Sequence, residues 1–78
     1  MRVQVEIPTT RIVWGTTTYE VEIESTEAEI RAEFNADPAA FIERYSVATE
    51  GEVVDEFDNA HETQDYRAAD AELREVRP

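Results

Sequence analysis

The chain has 78 residues, with 19 Asp and Glu against 7 Arg, no Lys and no Cys, and a formal charge of −12 at pH 7. That length holds one small domain, which buries only roughly 60% of the surface its unfolded chain exposes. Without Cys, disulfide frameworks, Cys zinc sites and thiol nucleophiles are excluded, and two Gly are too few for a glycine-rich phosphate loop.

The first third reads as β. Val3, Val5 and Ile7 alternate with Arg2, Gln4 and Glu6, and the period returns at Tyr19, Val21 and Ile23 against Glu20, Glu22 and Glu24. The N-terminus alternates instead of forming an apolar block, so it is no signal peptide, and the cytoplasm is the expected compartment. No apolar run approaches the ~18 residues of a membrane span. Pro8 is expected to interrupt the first strand, because proline cannot donate to a ladder. Beyond it two arrangements fit: a separate middle strand over 11–14, or one long strand from Arg11 to Ile23 with a bulge at Gly15.

Helix comes next. Thr26 and Glu29 match a capping box, and Glu27 and Glu29 sit where the helix dipole favours negative charge. Asp37-Pro38 marks a second start, with Asp as N-cap and Pro at the first helical position. Ile30, Phe34, Phe41 and Tyr45 form one apolar stripe that predicts packing on the sheet.

The last third supports two readings. Val53, Val54 and Phe57 suit one helical turn or a short strand. Tyr66, Ala69, Leu73 and Val76 fit helical spacing, while Ala69, Ala71 and Leu73 also alternate as a strand would. The helical template matches more positions and sets the expectation. The fold class expected is α+β: a small antiparallel sheet or hairpin over residues 2–24, packed by a helical segment over 27–47, with a C-terminal helix or strand. The expected core is Val3, Val5, Ile7, Tyr19, Val21, Ile23, Ile30, Phe34, Phe41, Ile42 and Tyr45.

Charge is uneven: residues 1–24 carry −2, residues 25–49 carry −3 and residues 50–78 carry −7. A surface this negative repels phosphates and anionic lipid, so neither nucleic acid nor membrane is an expected direct partner. A basic protein surface is, above all that of a nucleic-acid-binding protein; a homodimer is the other arrangement left open. Solvation alone, or adaptation to a salt-rich cytoplasm, accounts for the same composition without any partner.

Few residues suggest chemistry. His61 is the only histidine, and neither Ser25 nor Ser46 sits in a nucleophile pattern, so His61 reads as a solvated loop or helix-end residue. Asp58, His61 and Glu62 have the spacing of one helical turn, but the segment lacks the ligand order of a calcium loop. Carboxylate pairs arise by chance among so many acids, and a domain this small has little material to wall a sugar cleft. No catalytic residue, metal ligand or cofactor is expected.

The acidic residues themselves are the candidate site. Glu20, Glu22 and Glu24 form a row on one strand face, and Glu50, Glu52, Asp55, Glu56, Asp58 and Glu62 lie within thirteen residues that hold no Lys or Arg. A DNA mimic needs carboxylates on a rigid scaffold at a density comparable to duplex DNA, which carries one charge per roughly 1.7 Å of axis. Like-charge rows cost folding stability, so their presence favours selection for the field. Trp14 is the candidate anchor beside them, although with so few large apolar residues the core is the stronger reading for both Trp14 and Tyr19.

The short Val-rich first strand Arg2–Ile7, the run Tyr19-Glu20-Val21-Glu22-Ile23-Glu24-Ser25 into a Glu-rich helix, and the ending Ala71-Glu72-Leu73-Arg74-Glu75-Val76 together resemble small acidic proteins encoded by bacteriophages of high-GC hosts. In such proteins the ending tends to be a strand. The resemblance implies a role in the contest between phage and host, where acidic proteins inhibit nucleases, CRISPR effectors, restriction enzymes or transcription factors. It carries over no individual residues.

Overall fold

A computed structural model describes residues 1–10, 14–56 and 65–78. Its elements are β1 (Arg2–Thr10), β2 (Trp14–Glu22), α1 (Glu27–Ala36), α2 (Pro38–Arg44), α3 (Val47–Glu50), β3 (Glu52–Glu56), β4 (Asp65–Tyr66), a 3₁₀ turn (Ala68–Asp70) and β5 (Glu72–Arg77). This is an α+β domain: a five-stranded antiparallel sheet with helices packed against it. The sheet runs β3-β2-β1, and β4 and β5 share the far side of β1. Among the described residues no helix is long and apolar enough to cross a membrane.

β1 is the spine. Its odd residues Val3, Val5, Ile7 and Thr9 are buried, and its even residues face the other way, as the alternation requires. In register with them on β2 stand Val21, Tyr19, Thr17 and Gly15. Pro8 does not end the strand. Its carbonyl accepts from the Arg67 N–H at 2.9 Å, in the gap where β5 pairing has stopped at Glu6 and β4 pairing begins at Thr9. The missing proline donor therefore falls where no ladder partner stands. β2 begins at Trp14 and runs through Gly15 with no register shift against β1, so the described part of 11–14 is not a separate strand and Gly15 is not a bulge.

Both helix starts form at the expected residues, although Glu29 takes the Thr26 hydroxyl and not the backbone N–H that a full capping box would give it. Thr26 Oγ1 accepts from the Glu29 N–H at 3.2 Å and donates to Glu29 Oε1 at 2.9 Å. Asp37 Oδ1 accepts from the Ala40 N–H at 3.1 Å, with Pro38 in the first turn of α2. The break between α1 and α2 is tied across by Glu33, whose carboxylate accepts from Arg44 and, at 2.9 Å, from the Tyr45 hydroxyl. Ser46 then turns the chain into α3 at φ 52°, left-handed backbone that disfavours a residue with a Cβ.

The core contains most of the residues expected from the sequence, with Val21 and Tyr45 packed at its margin. Phe41 is its centre, with Phe34 edge-on at 5.2 Å and the Tyr45 ring at 4.8 Å between centroids. The sequence missed Val47 and Ala71, and also three buried threonines: Thr9, Thr17 and Thr18. Thr9 and Thr17 satisfy one another through a 2.8 Å hydroxyl contact, which removes the cost of burying both. Gly51 closes α3 onto the sheet: a Cβ there would collide with the Val47 carbonyl and lie 3.2 Å from Tyr19 and Val21 side-chain atoms.

The C-terminal segment corrects the helical expectation. Residues 72–77 are a strand beside β1, preceded by a single 3₁₀ turn. The cause of the misleading periodicity is visible in the register. Val5 pairs Leu73 and Val3 pairs Val76, so one extra residue is accommodated on β5 and its core-facing side chains fall three apart. Residues 52–56 are likewise a strand, with a similar shift between Thr18 and Tyr19.

Candidate functional site

The described helices pack on the odd-numbered face of β1, and among the described residues no helix covers its even-numbered face. The pairing register lines acidic residues up across this outer face. One row runs Glu52 on β3, Glu20 on β2, Gln4 on β1 and Glu75 on β5; the next runs Asp55, Thr18, Glu6 and Glu72. A third holds Glu22, Arg2 and Arg77. Within these rows Glu20 opposes Glu52 and Glu6 opposes Glu72, like charges at directly paired positions.

Three arginines thread the array. Arg74 reaches Glu6 on β1 and Asp55 on β3, both at 3.6 Å, and so crosses β2 at Thr18, the residue in register between them. Thr18, in register beneath that crossing, is buried although no described helix covers this face. Arg77 pairs with Glu20 at 3.2 Å and with Glu75 at 3.3 Å. Glu20 also accepts from Gln4 at 3.2 Å and stands 4.0 Å from Arg2. The N-terminal ammonium holds Glu22 at 3.0 Å. Carboxylates still outnumber these cations, and among the described residues Glu52 and Glu72 have no ion-pair partner.

The candidate residues thus divide. Glu20, Glu22, Glu52 and Asp55 share the outer face. Glu20 is the most engaged, with its side chain only 13% exposed. Glu24 is exposed two residues beyond the end of β2, so the row expected along the strand ends at Glu22. Glu50 is exposed at the end of α3. Glu56 pairs with Thr17 through the backbone register. Asp58 and Glu62 lie outside the described residues, as does His61. Among the described residues no three of His, Cys, Asp and Glu are grouped to hold a metal ion.

The aromatic expectations separate as well. Tyr19 is core, whereas Trp14 is 45% exposed, against the core reading. Trp14 stands at the start of β2, where β1 is ending and few neighbours remain to cover a ring. The Arg67 guanidinium lies 4.2 Å from its ring centroid, a cation–π contact at the far end of the sheet from Glu22 and Glu52. The sequence separates these two residues by more than fifty positions, so no local pattern announces the pair.

A groove of about 470 Å³ between α2, α3 and the 3₁₀ turn is lined mainly by small side chains, with Ile42 and Tyr66 as its large members and Glu43 as its one carboxylate. A shallower one of about 370 Å³ lies among Arg2, Glu20, Glu22 and Glu52 on the acidic face itself. Compared with known proteins, the chain matches no family model, no curated protein and no solved structure.

Proposed function

We propose that this chain is a non-catalytic binding module that lays its acidic outer face against the basic surface of a nucleic-acid-binding protein and so acts as a DNA mimic. The observation that carries the reading is the pair of in-register rows, Glu52–Glu20–Gln4–Glu75 and Asp55–Thr18–Glu6–Glu72. Neighbouring strands are about 4.8 Å apart and residues two apart on a strand are about 7 Å apart. Carboxylates are thereby repeated in two dimensions on hydrogen-bonded backbone, a fixed negative lattice of the kind a phosphate-binding surface recognises. The directly opposed pairs Glu20–Glu52 and Glu6–Glu72 oppose folding, which favours a role for the field over an accident of composition. Similarity to small acidic phage proteins suggests the target class: a nuclease, restriction enzyme, CRISPR effector or transcription factor held off its nucleic acid.

A second reading draws on the arginines. Arg2, Arg74 and Arg77 compensate part of the array internally, as expected of a small structural or regulatory protein whose acidity serves solubility. Affinity capture from host lysate separates the two. The bait is the purified protein, washed at about 0.05 M and about 0.5 M salt, where screening differs severalfold. Mimicry predicts one basic DNA- or RNA-binding protein, retained at low salt, displaced by added duplex DNA and lost on combining Glu52→Lys with Asp55→Lys. Capture of nothing, or retention indifferent to duplex DNA and to those reversals, rejects the acidic face as a binding surface.

A further inference from the structure

The outer strands of the sheet are β3 on one side and β4 and β5 on the other, and among the described residues the unpaired sides of β3 and β5 differ in what they offer. On β1 the Pro8 carbonyl turns toward Arg67 on the β4 and β5 side, and the Met1 carbonyl accepts from Ile23 on the β2 side at 2.8 Å. Even residues of β1 therefore direct their N–H and C=O groups to β5, and odd residues direct theirs to β2. The β5 residues in register with the even set, Glu72, Glu75 and Arg77, face β1 with their backbone groups. Among the described residues those of Leu73 and Val76 have no strand beside them and point outward along the edge.

We propose that this edge joins a second copy of the chain, β5 against β5 in antiparallel register, to make a continuous two-fold sheet. The strand Glu72-Leu73-Arg74-Glu75-Val76-Arg77 is complementary to its own reverse. In the register that pairs Leu73 with Val76, Glu72 meets Arg77 and Arg74 meets Glu75, each twice by symmetry. The faces agree too. Leu73 and Val76 stand on the core side with Val5 and Val3, while Glu72, Glu75 and Arg77 stand on the outer side with Glu6, Gln4 and Arg2. The outward backbone groups of Leu73 and Val76 then meet one another as a hydrogen-bonded pair. Irregularity in β5 is no obstacle, because it lies between these two residues and is matched by its own copy across the axis.

Arg74 and Arg77 are free enough to serve both roles. They are 46% and 48% exposed, and a guanidinium carries five donors. Glu72 is exposed and has no ion-pair partner among the described residues. The other edge lacks this self-complementarity: the β3 sequence, Glu52–Glu56, holds carboxylates and no Lys or Arg to set against them in a second copy. Edge pairing at β5 keeps both outer faces on the same side and extends the acidic rows across two copies. It does not require that face to bind anything.

Sedimentation of the full chain from about 10 µM to about 1 mM, at about 0.15 M salt to screen the repulsion between two chains of −12, tests the dimer. The expected result is a concentration-dependent rise from 8.9 kDa toward twice that mass. Glu72→Lys sets Lys against Arg77, and Arg77→Glu sets Glu against Glu72. Each alone should weaken self-association by about tenfold. Mixing the two variants restores both ion pairs and should restore the dimer. A wild-type chain that stays monomeric throughout overturns the proposal. So do single variants that associate as the wild type does, or a mixture that associates no better than its components.

Discussion

The two faces of one sheet obey opposite rules. On the helix side every side chain of β1 that points inward is apolar or, at Thr9, a hydroxyl paired with Thr17, and burial is nearly complete. On the outer side the same strands present carboxylates in rows, with two pairs directly opposed and three arginines laid between. The first face is organised to fold the chain. The second face sets like charges opposite one another, which is the basis for the proposal that it is a surface built for a partner. Stability should accordingly be concentrated on one side of the sheet and field on the other.

Phe41→Ala is the harshest test of the helix side. Phe41 is 1% exposed between Phe34 and Tyr45, and removing its ring should cost about 3–5 kcal/mol, enough to unfold a marginal domain. Equilibrium denaturation checks it; a variant as stable as wild type would mean that the core is centred elsewhere. Gly51→Ala acts on the seam between α3 and the sheet. The added Cβ meets backbone at the Val47 carbonyl, so the turn must shift, at about 1–3 kcal/mol by the same measurement.

Between the faces in effect stands the α1–α2 clamp. Burial, then the hydrogen bond from its hydroxyl to Glu33 and that carboxylate's charge, raise the Tyr45 pKa above its ordinary 10.0. A neutral acid with a raised folded pKa holds its proton more tightly when folded. Its contribution is therefore complete below pH 10 and is lost as pH rises through and beyond that value. Tyr45→Phe should flatten this part of the alkaline stability profile, read by denaturation from about pH 8 to about pH 11. On the outer face Arg74→Met should cost about 1 kcal/mol or less, because Arg74, Glu6 and Asp55 are all partly solvated, and the loss should shrink in high salt.

The same contrast governs how much of the molecule is legible in its sequence. Where each element is locally regular it can be read: the alternation of Arg2–Ile7, the Thr26 cap and the Asp37-Pro38 start are each complete within a few residues. The last third is not, for a specific reason. A shifted register places Leu73 and Val76 three apart on one face, and three is a helical spacing. A bulged strand then imitates a helix, and only its pairing with β1, some seventy residues earlier, resolves the ambiguity. The candidate site was legible as acidity but not as geometry. Glu20 and Glu22 show their shared face along the strand, whereas the rows that unite Glu52, Glu20 and Glu75 exist only across strands. Nor does the sequence show that Arg74 and Arg77 enter those rows, since that depends on β5 being a strand at all.

The most direct test of the division between faces is the stability of the double variant Glu52→Gln with Glu72→Gln, each opposite a carboxylate and neither ion-paired among the described residues. Urea denaturation at low micromolar protein is compared with wild type at about 0.02 M and about 1 M salt. If the outer carboxylates exceed what the fold requires, the variant is more stable at low salt by about 0.5–1 kcal/mol, and the gap narrows at high salt. A variant no more stable than wild type at low salt would mean that these rows support the fold, and would remove the ground for reading the face as a surface kept for a partner.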